Sequence, residues 1–129
     1  MLDKDKGFGK DWFEHGTYLS EYKASDIREY LNKYILQELV SDGANPIPTN
    51  LPDVGCTDKV YLLSVEEAKK LPRDIRKFKS DWWLRSQGAG ECYAACVSAK
   101  GNIDNFGGAV GYDRYAVRPA IKVSIDELR

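Results

Sequence analysis

Cys92 and Cys96 form the first pair whose residue type invites chemistry. Their C-x-x-x-C spacing could open a metal site, but no second Cys/His pair follows, and the only histidine, His15, lies far upstream. On a strand the two would share a face roughly 13 Å apart, too far for a direct disulfide. With Cys56 the total is three, an odd number that rules out a complete disulfide framework. Free, partly buried thiols are therefore expected. Nucleophilic catalysis needs a base beside the nucleophile, and no Ser/His or Cys/His pair can be assembled here. No phosphate-cradling loop or dinucleotide fingerprint is present either, since Gly107, Gly108 and Gly111 fall in a β-rich region without the required helix.

The run Trp82-Trp83-Leu84-Arg85-Ser86 offers a different chemistry, stacking and anion recognition. An indole face could stack on a sugar or another ring. Strand alternation sends the two indoles to opposite faces, so at most one is expected to be free, and core packing is the expectation for the pair. Arg85 and Arg118 could grip an anion through their planar forks. The expectation for both is partial burial, with each guanidinium holding loops through carboxylates or backbone carbonyls, because an unpartnered buried charge is costly. Between Gly88 and Tyr115 the sequence sets Tyr93, Asn102, Asp104, Asn105, Phe106, Tyr112, Asp113, Arg114 and Tyr115 among glycines. Recognition loops favour this mixture: aromatics bring contact area at low entropic cost, and Asn and Asp bring adaptable hydrogen bonds. The same residues also build turns.

These groups must be held by a small scaffold. The chain has 129 residues, 43% hydrophobic and 30% charged, the profile of one globular domain spanning 1–129. Its 19 Lys+Arg nearly cancel its 20 Asp+Glu, so a broad grip on nucleic acid or an anionic membrane is not expected. No run approaches the roughly 20 apolar residues of a membrane span, and the charged start MLDKDKGFGKDW does not read as a signal peptide. The expected setting is cytoplasmic for the chain as written.

A helix is predicted from Ser25 to Val40: Ser25 caps it, Ile27, Tyr30, Leu31, Tyr34, Ile35 and Leu39 recur at helical spacing, and Gly43 stops it. Residues 42–58 read as a loop broken by Pro46, Pro48, Pro52 and Gly55. A short strand is expected at Val60–Leu63. A second helix is expected from a Ser64…Glu67 capping box to about Leu71, ended by Pro72. Strands follow at Trp82–Ser86, Tyr93–Ser98 and Ile103–Phe106, with a further short one at Ala109–Val110. A last strand is expected over Ala116–Val123, interrupted by Pro119. Helices first and a meandering sheet afterwards give an α+β class.

The ordered segments SDIREYLN, TDKVYLLSVEEAKK, WWLRSQG, AACVSAKGNI and YAVRPAIKV, from Ser25 to Val123, resemble a family of uncharacterised bacterial and phage domains. Residues 1–24 stand outside the match as an N-terminal segment. That family is similar to the C-type lectin-like fold, in the branch shared with formylglycine-generating enzymes and the variable proteins of diversity-generating retroelements. The resemblance implies two helices packed on a twisted, mostly antiparallel sheet with long irregular loops. It also implies a non-catalytic module that binds a protein or glycan through residues 88–115, associated with a phage or a cell surface, and with no cofactor.

Calcium-dependent lectins carry E-P-N or Q-P-D and a later W-N-D. None occurs here, so calcium-independent binding is expected, although Asp104 and Asp113 could supply oxygen ligands. Two other readings accompany the resemblance: an assembly component of a phage particle or surface complex, and a copper-dependent oxidase-like enzyme. The oxidase relatives bind copper through two cysteines, whose context Cys92 and Cys96 do not reproduce.

Overall fold

The computed structural model describes residues 22–90, 93–109 and 115–124. A 3-10 turn, Tyr22–Ala24, leads into a helix that runs on through α1 (Asp26–Tyr30), a π-helical turn (Leu31–Ile35) and α2 (Leu36–Ser41). Both predicted ends are present. Ser25 sits extended at φ −80°, ψ 153°, and its hydroxyl accepts from the Arg28 amide at 3.2 Å. At the other end Gly43 takes φ +92°, the Ala44 amide donates to Leu39 O at 2.9 Å and the Gly43 amide to Val40 O at 3.0 Å. That pair of bonds is the Schellman arrangement, and it needs a residue comfortable at positive φ. Ile27, Leu31 and Ile35 form the fully buried stripe of this helix.

The supposed loop after the helix contains a small antiparallel hairpin, β1 (Thr49–Leu51) and β2 (Cys56–Asp58). Each strand is only three residues long, too short for alternation to stand out in the sequence. The expected strand at Val60–Leu63 is not one: it forms a single antiparallel bridge, Tyr61 to Ala120. Its backbone is satisfied mainly by side chains and loops instead. Asn32 receives the Val60 amide on Oδ1 and donates to Val60 O. The Leu62 amide donates to the Tyr22 hydroxyl, Leu62 O accepts from Arg85, and Leu63 O accepts from the Arg85 amide. Buried backbone groups need partners, and here sheet pairing supplies few of them.

Helix α3 (Val65–Lys69) carries the predicted capping box in full, Ser64 with the Glu67 amide and Glu67 with the Ser64 amide. It ends at Lys69, short of Pro72 as expected, and a further short helix, α4 (Arg73–Arg76), follows with Pro72 as its N-cap. Proline's fixed φ suits the entry to a helix as well as the exit from one.

The main sheet has three antiparallel strands in the order β3 (Trp82–Gln87), β4 (Tyr93–Val97), β5 (Ile103–Ala109). Both outer strands bulge at the same level of β4. Ala95 alone separates paired positions on β4, whereas Leu84, Arg85 and Ser86 intervene on β3 and Asn105, Phe106 and Gly107 on β5. The β5 bulge requires glycine: Gly107 sits at φ +88°, and a Cβ there would lie 2.1 Å from Ala94 O. The separate strand expected at Ala109–Val110 is instead the end of β5 as far as Ala109, and Val110 lies outside the described residues. The last expected strand is reduced to isolated bridges, among them Ala116 parallel to Trp82 and Ala120 antiparallel to Tyr61. Pro119, between them, has no amide to continue a ladder.

The architecture is α+β, and its core has two parts. Trp83, Ala94 and Cys96 face the long helix, Tyr61, Leu62 and Val117. Trp82, Leu84, Ala95 and Val97 face Ala68 of α3, Phe78 and Ala116. Period-2 alternation along β3 and β4 separates these sets. Among the described residues no helix is long and apolar enough to cross a membrane.

Candidate recognition surface

The two indoles confirm the alternation and remove both rings from solvent: Trp82 and Trp83 are each fully buried, on opposite faces. Trp82 Nε1 donates to Arg76 O at 2.9 Å. Neither indole offers a stacking face to a ligand, because the sheet is covered on both sides.

Arg85 and Arg118 hold loops, as expected, by different means. Arg85 is only 4% exposed. Its Nε and Nη2 grip Asp53 at 3.0 and 2.9 Å, and its Nη1 donates to Glu67 and, at 2.7 Å, to Leu62 O. One guanidinium thereby joins the β1–β2 tip, the 60–63 segment and the cap of α3. Arg118 instead lies between two rings, 4.8 Å from both Phe78 and Trp82, and its Nη1 donates to Ile75 O.

The expected binding residues divide into two groups. Tyr115 is half-buried and stacks on Trp83, with ring centroids 4.2 Å apart and planes 22° from parallel. Its hydroxyl is hydrogen-bonded with the Cys96 thiol. Burial, first of all, pushes both groups up to about 12, with the nearby Asp81 and Asp104 carboxylates adding to the rise. Cys96 is therefore a neutral core thiol, the opposite of an activated nucleophile. Asp104 is exposed but locally engaged, its Oδ1 accepting from the Phe106 and Gly107 amides at 3.0 and 3.1 Å. It shapes the β5 bulge.

That bulge presents the other group. Phe106 is 62% exposed, the most exposed large hydrophobic side chain among the described residues. Its ring lies 5.3 Å from that of the half-buried Tyr93 across the hairpin. Asn105 is exposed beside it. The backbone beneath is close-packed: Phe106 O accepts from the Ala89 amide at 2.9 Å, and a Cβ on Gly88 would come within 2.4 Å of that same oxygen. Asn102 is exposed at the opposite end of the hairpin, in the β4–β5 turn. Tyr112, Asp113, Arg114 and Cys92 lie outside the described residues.

Two features escape motif reading. Arg28 grips the buried Asp58 carboxylate bidentately, at 2.9 and 2.8 Å, and Cys56 donates to the same carboxylate at 3.6 Å. This pair and Arg85–Asp53 line two open clefts of about 390 and 380 Å³ that share Lys23. Partners 30 and 32 residues apart carry no sequence signal. No group of three or more metal-ligating side chains occurs among the described residues. No family model, curated protein or solved structure matches this chain.

Proposed function

We propose that the chain is a C-type lectin-like domain acting as a non-catalytic recognition module, which binds a protein or glycan without calcium. The contact surface is the bulged end of the β4–β5 hairpin, where Tyr93 and Phe106 pack against the ligand and Asn105 orients it. The carrying observation is Phe106, held 62% exposed on a backbone locked by Gly88 and Gly107. An exposed aromatic on a rigid support loses little entropy on binding, the property that makes such residues interface anchors. The α+β architecture and the long connections around the sheet are compatible with the proposed fold. Tyr115 acts from beneath this surface as a packing residue.

The test is binding of the purified protein to a broad glycan array with and without calcium, beside a Tyr93→Ala/Phe106→Ala variant. Selective binding that survives calcium removal and disappears in the folded variant is the expected result. Equal binding by the variant would move the site elsewhere. Absence of glycan binding would leave a protein ligand, to be sought by capture with wild type and variant in parallel. Light scattering that shows concentration-dependent assembly abolished by the variant would make the surface a contact between copies.

A further inference from the structure

The other end of the same hairpin has a different character. Residues 69–79 hold six cations, Lys69, Lys70, Arg73, Arg76, Lys77 and Lys79, against one acid, Asp74, in a chain whose net charge is only −1. The fold brings Arg73, Arg76 and Lys77 of this run to the Lys100–Gly101 turn. Arg73 Nε donates to Lys100 O at 3.3 Å, and Arg76 Nε to Gly101 O at 2.9 Å. Gly101, at φ +89°, lies so close that a Cβ would meet Arg73 O at 2.9 Å and the Lys77 stem at 3.4 Å. Arg118 joins from the far side through Ile75 O. Both α4 arginines are anchored through backbone carbonyls, so their charge is oriented without being neutralised. Lys69–Glu66 and Lys77–Asp74 are each a 3.5 Å contact between exposed groups, which water screens. In the middle of this collar Ile75 is 49% exposed.

We infer that the α4 collar is a second interaction surface, whose partner is an acidic protein segment carrying an apolar anchor. Clustered like charge around α4 raises the local potential and selects an anionic partner. An exposed isoleucine in a run of cations, with Arg73, Arg76 and Lys77 close in sequence, fits a peptide with a leucine-like side chain among carboxylates. A nucleic-acid strand would call for exposed rings on which bases could stack. Phe78, the aromatic of this region, already lies under Arg118.

The probe is a fluorescein-labelled twelve-residue peptide of glutamates around a central leucine, followed by anisotropy with the full chain at low and moderate salt. Fluorescein-labelled dT12 and a heparin oligosaccharide run as the other two arms. The expected result is salt-sensitive peptide binding, weakened about tenfold by Lys77→Glu/Lys100→Glu, two exposed positions whose head groups hold no structural bond beyond the screened Lys77–Asp74 contact. Ile75→Ser should weaken the peptide about threefold while leaving any dT12 signal unchanged. No peptide binding at low salt overturns the inference. So does binding of dT12 or heparin as tight as the peptide, or insensitivity to the double charge reversal. The Tyr93→Ala/Phe106→Ala variant should bind the peptide normally, which separates this surface from the one proposed above.

Discussion

The two faces of the β3–β5 sheet solve one problem in opposite ways. Each buries a tryptophan from adjacent positions, and each brings an arginine against it or beside it. On the Trp83 face, Arg85 is neutralised by two carboxylates and a carbonyl, beneath a large apolar cluster that includes the long helix. On the Trp82 face, Arg118 lies between Phe78 and Trp82, over a smaller cluster closed by α3 and Phe78. A fully desolvated guanidinium needs formal counter-charges. One at the rim can be held by ring quadrupoles while part of it stays hydrated. At 4% exposure Arg85 is deep enough to require its two carboxylates.

That contrast can be broken by mutation. Trp83→Ala should be the most damaging change, costing about 4 kcal/mol or more in urea unfolding, because the cavity opens in the larger cluster and Tyr115 loses its stacking partner. Trp82→Ala should cost about 3 kcal/mol. If the order is reversed, the smaller cluster is the true core. Next, Arg85→Lys should lose about 2 kcal/mol, since an ammonium cannot reproduce the fork that reaches Asp53, Glu67 and Leu62 O together. Full stability in Arg85→Lys would show that charge alone is sufficient there. Arg118→Leu should cost least, about 0.5–1 kcal/mol, the range of a partly exposed cation–π contact.

The Trp83 face also carries a pH signature that the other lacks. The Cys96 thiol rises from an ordinary 9.0 to about 12, and the Tyr115 phenol from 10.0 to about 12. The folded state thus holds these protons more tightly than the unfolded chain does. Their stabilisation is complete below pH 9 and is lost as pH rises towards 12. Urea midpoints should therefore fall as pH rises from about 9 towards 12, and Cys96→Ala should make that decline shallower. A slope identical in the variant would remove Cys96 from the account.

Local signals were readable in the sequence and long-range ones were not. Ser25, Gly43 and the Ser64…Glu67 box act within a few residues, and each marks a real helix end. The β3, β4 and β5 strands were also legible, from their aromatic and β-branched residues and the turn between Val97 and Ile103. The β1–β2 hairpin was hidden by prolines and three-residue strands. Val60–Leu63 has strand composition, yet Asn32, Tyr22 and Arg85 satisfy much of its backbone, and no local pattern reveals partners so distant. At the candidate surface, residue types pointed to the stretch that carries the β5 bulge. They could not separate Phe106, which faces solvent, from Tyr115, which lies on an indole.

The Arg85 junction also has a consequence in time. It ties together the tip of the first hairpin, the 60–63 segment and the start of α3, pieces with little sheet pairing of their own. Segments joined through one buried group open together or remain closed together. In hydrogen–deuterium exchange, the amides of Val60, Leu62 and Glu67 should share one opening free energy, well above that of an isolated hairpin. Three stretches of chain would then breathe as a single unit, timed by one side chain.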